Sequence, residues 1–152
     1  MSAISAIYRL DNSPVSESEI EFQLEVMRHR GDDGTGVFVD GHVGLGHRMH
    51  RVTPESRFEE LPMKQRNGAA VITCDARIDN RADLIRTLNV AGSTDELPDS
   101  EIVLAAYEKW GVDCFSRLIG DFAVVIWDPV ENRLVCARDP MGVKHFYYFP
   151  GL

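Results

Sequence analysis

The chain has 152 residues, enough for one domain with a real core, and 44% of them are hydrophobic. Mean hydropathy is -0.18, and no apolar run approaches the ~20 residues of a spanning helix, so the composition predicts a soluble globular protein with no membrane partner. A formal charge of -8 works against nucleic-acid binding. Seven of the sixteen Lys and Arg fall between residues 28 and 66, but acidic residues interleave with them, which predicts a solvated mixed surface. No basic, apolar leader precedes the first strand, so a secretory signal is not expected. The cysteines Cys74, Cys114 and Cys136 are widely spaced with no C-x-x-C pair, which predicts reduced thiols and a cytoplasmic location.

Met1 to Tyr8, with Ile4 and Ile7 among small residues, reads as a strand buried from its first step. Ser2 is small enough for Met1 to be trimmed. That would leave an α-amino group of pKa about 8 beside a hydroxyl, the arrangement of an N-terminal nucleophile. The alternative is a plain core strand. Ser16 with Glu19 makes a capping box, and Ile20, Leu24 and Met27 at helical spacing predict a helix over 17 to 29. Arg30 to Gly36 is a loop with three glycines, lacking the Lys-Ser/Thr ending of a phosphate loop. Asp40-Gly41 between two apolar stretches predicts a hairpin.

Residues 53 to 68, with Pro54, Pro62 and Gly68, read as a surface excursion. Ala69 to Cys74 is a buried strand ending in Asp75-Ala-Arg-Ile-Asp-Asn80, after which Asp79 or Asn80 caps a short helix with Leu84, Ile85 and Leu88 inward. Asn89 to Pro98 is a loop. Asp99 or Ser100 caps the next helix, with Ile102, Val103, Ala106, Tyr107 and Trp110 inward and Gly111 as its stop. A helical turn through Phe115 and Leu118 ends at Gly120. Phe122 to Trp127, Leu134 to Ala137 and Val143 to Phe149 read as sheet, separated by turns at Asp128 to Asn132 and Asp139 to Gly142. Strands this continuously apolar are covered on both faces, by helices on one side and more sheet on the other.

Four of five histidines, His29, His42, His47 and His50, cluster in sequence. His47 and His50 sit three apart on a strand, hence on opposite faces, and nothing completes a tetrahedral set, so no metal site is expected. Asp75, Asp79 and Asp99 flank strand ends and helix starts, where capping is their ordinary role unless they converge in space.

Several separated stretches carry a resemblance: His29-Arg-Gly-Asp-Asp-Gly34, Leu45-Gly-His-Arg48, Asp99-Ser-Glu101, Gly120-Asp-Phe-Ala123 with Trp127-Asp128, and Ala137-Arg-Asp139 through Gly142 to Tyr147-Tyr148. In this order they resemble the N-terminal class II glutamine amidotransferase domain of asparagine synthetases and their relatives. The resemblance implies the N-terminal nucleophile (Ntn) hydrolase fold, an α+β, four-layer αββα sandwich, over a single domain of residues 1–152. The family domain continues for further strands past the Tyr-Tyr stretch, so the domain is expected to be incomplete at its C-terminus.

The same resemblance implies a glutaminase site that has decayed. Family members with that activity begin methionine, cysteine, glycine; here the start is Met1-Ser2-Ala3. The asparagine-glycine pair that stabilises the oxyanion falls on Asp75-Ala76, the following glutamate on Arg77, and the arginine for the substrate carboxylate on Met49, with Arg48 or Arg51 as possible substitutes. Asp99, which holds the substrate amino group in the family, persists. These six residues are expected to line a vestigial pocket with no catalytic group intact, Ser2 standing at the nucleophile position. A working glutaminase using Ser2 and a free-standing peptide- or partner-binding module are the alternatives. Gly46-His-Arg-Met49, Val52 to Ser56, Asp75 to Arg81 and Trp110 to Cys114 look most like lasso-peptide macrolactam synthetases (cyclases). There a synthetase domain adenylates a carboxylate with ATP and magnesium, and an amine of the same precursor peptide attacks it. No Ser-Gly-Gly-x-Asp pyrophosphate loop occurs here, so the ATP and magnesium belong to a synthetase domain outside this chain.

Overall fold

Alternation along one strand sets the layering. In β3 (Val43–Met49), Val43 and Leu45 face Val71, Val125 and Trp127 in one apolar layer. Gly44 and Gly46 turn to the other face, against Val15, Ile20 and Leu24. The computed structural model describes residues 1–66, 68–90 and 96–151. β3 is the middle of a three-stranded antiparallel sheet, between β1 (Ala3–Tyr8) and β2 (Gly34–Asp40). A second antiparallel sheet has the order β4 (Met63–Lys64), β5 (Val71–Ile78), β6 (Gly120–Asp128), β7 (Arg133–Arg138). Helix α1 (Glu17–Val26) covers the outer face of the first sheet. Helices α2 (Arg81–Leu88) and α3 (Asp99–Trp110) cover the second, where Ile102, Val103 and Ala106 pack on Ile72, Val124 and Ile126. Helix, sheet, sheet, helix is the four-layer α+β sandwich that the resemblance implies, with the strands covered on both faces as their apolar runs predict.

The capping box is present, with Ser16 N–H donating to Glu19 Oε2 at 2.9 Å. α1 nevertheless ends at Val26, before the expected residue 29. Arg48, on the α1 side of β3, donates to the Leu24 carbonyl in the last turn of α1 and to the Arg30 and Gly31 carbonyls in the loop beyond it. The hairpin at Asp40-Gly41 forms, with Asp40 opposite Val43 and Gly41 at φ +55°.

Other expectations need correction. Residues 53 to 68 are not simply a surface excursion: after a 3-10 turn at Glu55–Phe58, Glu59 and Leu61 are buried and β4 pairs with β5. Neither Asn80 nor Asp99 caps its helix through its side chain. Asn80 precedes α2, but its side chain donates to the Arg117 carbonyl and accepts from Ile119 N–H. Asp99 is the first residue of α3, behind Pro98, and accepts from Ile78 N–H instead. Val143 to Phe149 forms no strand, because nothing among the described residues pairs with it. Phe146 alone of its aromatics packs between the sheets, while Tyr147, Tyr148 and Phe149 are exposed. Of the expected loop Asn89 to Pro98, residues 91–95 lie outside the described residues, as do residue 67 of the expected excursion and the terminal residue 152.

The bare face of β3 is what lets α1 approach. A Cβ on Gly46 would lie 2.6 Å from Ile20 and 3.1 Å from Leu24, both buried and unable to swing away. Gly46→Ala should therefore lower stability by about 1–3 kcal/mol, as overpacking does, read from the denaturant midpoint. An unchanged midpoint would show that α1 is not tightly seated.

Candidate functional site

The six residues singled out in the sequence come from four places in the chain and converge. Ser2 precedes β1, Met49 ends β3, Asp75, Ala76 and Arg77 follow one another in β5, and Asp99 opens α3; all line one cavity of about 130 Å³. Strand pairing brings the first two together, since Ala3 lies opposite Arg48 and the next step sets Ser2 beside the end of β3. There Ser2 Oγ accepts from His50 N–H at 3.0 Å. With Met1 attached the Ser2 nitrogen is a peptide amide, and only removal of Met1 would free the α-amino base that an N-terminal nucleophile uses.

Two cations from the protein itself reach the carboxylates of the cavity. Lys144, carried in by the Asp139 to Gly142 turn, places Nζ 2.9 Å from Asp75 Oδ1, and both side chains are largely buried. The turn is held by Asp139, which accepts from Val143 and Lys144 N–H at 2.8 and 2.9 Å. Arg81, the first residue of α2, donates to Asp99 Oδ1, and Asp99 Oδ2 accepts from Ile78 N–H at 3.1 Å. Arg81 also lies 3.8 Å from Glu55. Burial pushes the Asp99 carboxyl up to about 6, with Arg81 pulling the other way.

Glu59 is a further cavity acid, buried, with Oε1 accepting from Ser100 N–H at 2.9 Å. Burial pushes its carboxyl up to about 7. Cys74 also lines the cavity, but burial foremost and then the charges of Glu59, Asp99 and Asp75 raise its thiol well above the ordinary value, so it is no thiolate nucleophile. Arg77 is half exposed and turns to Asp79 at 3.0 Å and Asp121 at 3.2 Å.

Neither Arg48 nor Arg51, the arginines nearest Met49 in sequence, lines this cavity. Arg48 points at the end of α1. Arg51 donates to the carbonyls of Asp33 at 2.6 Å and Ser56 at 3.2 Å. Met49 itself, 6% exposed, gives the cavity an apolar wall where an anionic group would need a donor. Arg81, Lys144, Glu55 and Glu59 are the site residues that sequence reasoning missed. Lys144 lies 69 residues from Asp75 and Arg81 lies 18 from Asp99, so no local spacing flags either pair. Of the clustered histidines, His47 is buried against Thr73 and His50 lies 3.6 Å from Asp33. Among the described residues, no three His, Cys, Asp or Glu side chains could jointly hold a metal ion, and no helix is long and apolar enough to cross a membrane.

Comparison with known proteins follows from this geometry. The family model described as a glutamine amidotransferase domain matches residues 1–151. The chain is 33% identical to amidase chry2 of Gibberella zeae over 86% of its length and 20% of that protein. It is 32% identical to asparagine synthetase [glutamine-hydrolyzing] 3 of Bacillus subtilis, over 82% of this chain and 20% of that protein. It is 30% identical to putative asparagine synthetase [glutamine-hydrolyzing] 2 of Methanocaldococcus jannaschii, over 98% of this chain and 32% of that protein. The chain thus spans about a fifth to a third of these curated relatives. Among solved structures, the glutamine phosphoribosylpyrophosphate amidotransferase of B. subtilis, complexed with ADP and GMP, superposes with a TM-score of 0.71 at 19% identity, covering 94% of this chain and 38% of that one. That likeness bears on the fold, an Ntn-hydrolase sandwich. The chain belongs to the glutamine amidotransferase domain family, as an N-terminal class II domain of the kind found in asparagine synthetases.

Proposed function

We propose that the glutaminase pocket of this domain is vestigial and that the domain is the scaffold of an asparagine-synthetase-like, ATP-dependent amide-forming ligase of the lasso-peptide cyclase kind. The observation that carries the reading is that the protein's own cations occupy the carboxylates of the cavity. A substrate ammonium needs a carboxylate with acceptor capacity to spare, and Asp99 is engaged by Arg81 and Ile78 N–H. The oxyanion of an attacked amide needs donors aimed at it. Asp75 brings a carboxylate there instead, and Lys144, which could neutralise it, is paired with it. Losing one oxyanion donor typically costs about 3 kcal/mol or more of transition-state stabilisation.

A serine hydroxyl at Ser2, receiving a backbone N–H and lacking a side-chain base among its hydrogen-bond partners in the described residues, adds a weak nucleophile to a pocket whose carboxylates are already paired. The similarity to asparagine synthetases supports a synthetase domain as the partner. In this reading its reaction joins a carboxylate, activated by ATP and magnesium, to an amine within a precursor peptide, so no ammonia is needed. The ATP and magnesium sit in the synthetase domain, because this chain offers neither a pyrophosphate loop nor, among the described residues, a set of metal ligands.

The purified chain given glutamine should release ammonia no faster than buffer. Ser2→Cys should leave that rate unchanged, because the nucleophile is only one of the missing parts. Ammonia release that disappears in Ser2→Ala would establish the rival reading, a working serine glutaminase.

The buried acids also predict a pH dependence. Asp99 and Glu59 have ordinary values of 3.8 and 4.5 and are raised to about 6 and about 7 in the fold. Between about pH 4 and pH 7 the folded chain keeps protons that the unfolded chain has released, so stability is full at the low end of this window and falls as pH rises. The denaturant midpoint should decline across it, with a shallower decline in Glu59→Gln. A midpoint that climbs instead would mean that Arg81 holds both carboxylates ionised.

A further inference from the structure

Among the described residues β1 pairs with β3 alone, which leaves its other side as an open edge of the first sheet. Arg9 N–H donates to the His42 carbonyl opposite it at 3.0 Å, and this fixes the alternation along the pair. Ala3, Ser5 and Ile7 direct their backbone groups to β3. Ile4, Ala6 and Tyr8 turn theirs to the open edge, where no described residue hydrogen-bonds to them.

That edge faces a cavity of about 640 Å³, one wall of which is Met1 to Tyr8. Ala123, Val125, Leu134 and Cys136 of the second sheet form its floor, continuous with the apolar layer that holds the Ile4, Ala6 and Tyr8 side chains. Gln23, Met27 and Arg30 border it on the α1 side, and His145 to Phe149 lie across from β1. Phe146 enters the gap between the sheets, but the backbone of its segment pairs with neither edge.

Unpaired backbone groups at every second residue, beside an apolar floor, fit an extended strand whose own alternate side chains enter the layer between the sheets. Arg30 sets the charge of that strand. Its carbonyl accepts from Arg48, which lies opposite Ala3, so Arg30 stands at the Ala3 end of the groove. Among the described residues no carboxylate pairs with its guanidinium, and Asp75, the acid bordering the same cavity, is held by Lys144. The β1 edge of a second copy would bring no counter-charge, since Ala3–Tyr8 contains no acid.

We infer that the open edge of β1 is a docking site for an extended peptide of another polypeptide, antiparallel to β1, apolar at alternate positions and carrying a carboxylate for Arg30 at its C-terminal end. The inference stands whether or not the glutaminase pocket works.

The probe is the synthetic peptide acetyl-Lys-Val-Thr-Val-Thr-Val-Glu-amide, titrated into the nitrogen-15-labelled full chain with hydrogen exchange read residue by residue. Binding should saturate and slow exchange at the Ile4, Ala6 and Tyr8 amides together. A peptide N-methylated at its three valines, the residues that would face those amides, should not bind. Glutamine in place of the peptide's glutamate should weaken binding about tenfold, as loss of a hydrogen bond to a charged group does. Arg30→Gln, which removes a side chain with no partner among the described residues, should abolish that difference. No saturable binding, equal binding of the N-methylated peptide, or equal affinity for the glutamate and glutamine peptides would overturn the assignment. Protection of the three amides that grows with chain concentration in the absence of peptide would overturn it too, by giving the edge to a second copy.

Discussion

The carboxylate of Asp99 joins the parts of the molecule on which the site depends. It accepts from Ile78 N–H at the end of β5 and from Arg81 at the start of α2, while its own backbone begins α3. Three elements are thereby registered by one side chain that is 4% exposed. Ion pairs at such a depth contribute little net stability, because desolvation of both partners offsets their attraction. Removing one partner alone costs about 3–5 kcal/mol. The bond therefore acts less as a source of stability than as a constraint: α2, α3 and β5 cannot shift independently without stranding a buried charge. The adjacent Ser100 N–H extends the constraint by binding Glu59, which draws the segment before β4 into the core.

The sandwich was legible through the resemblance, and the periodicity of its elements agreed with it. β3 alternates Val43, Leu45 and His47 against Gly44, Gly46 and Arg48, and the continuous run Phe122 to Trp127 demands cover on both faces. What periodicity does not contain is the identity of a hydrogen-bond partner remote in sequence. Asp99 and Asn80 have the side chains of helix caps and sit at helix starts. Asp99 is recruited by a strand-end N–H 21 residues away, and Asn80 by the Arg117 carbonyl and Ile119 N–H. Glu59 has a sequence neighbourhood that reads as surface, and only the distant Ser100 N–H accounts for its burial. Val143 to Phe149 has strand composition without a neighbouring strand, and β propensity cannot supply the partner.

At the site the same division holds. Ser2, Met49, Asp75, Ala76, Arg77 and Asp99 were identified because the resemblance assigns family positions to them, and the fold gathers them around one cavity. Lys144 and Arg81 carry no such mark, since the resemblance includes their stretches but gives neither a role, and each meets its acid only after the chain has folded. Arg48 shows the reverse error. Its type suits a carboxylate clamp, but strand alternation sends it to the α1 side, one residue out of phase with the cavity.

Why such a pocket keeps its form without a ligand follows from its charges. A buried carboxylate must either take up a proton or find a cation. Asp75 has found Lys144 and Asp99 has found Arg81, so the two acids are compensated from within. Glu59 has no guanidinium of its own at bonding distance among the described residues, and burial leaves it near the point of protonation. Glu59 in the wall shared with Met49 and Leu61, like Asp99, therefore changes charge near neutral pH. That wall divides this cavity from the larger one beside it.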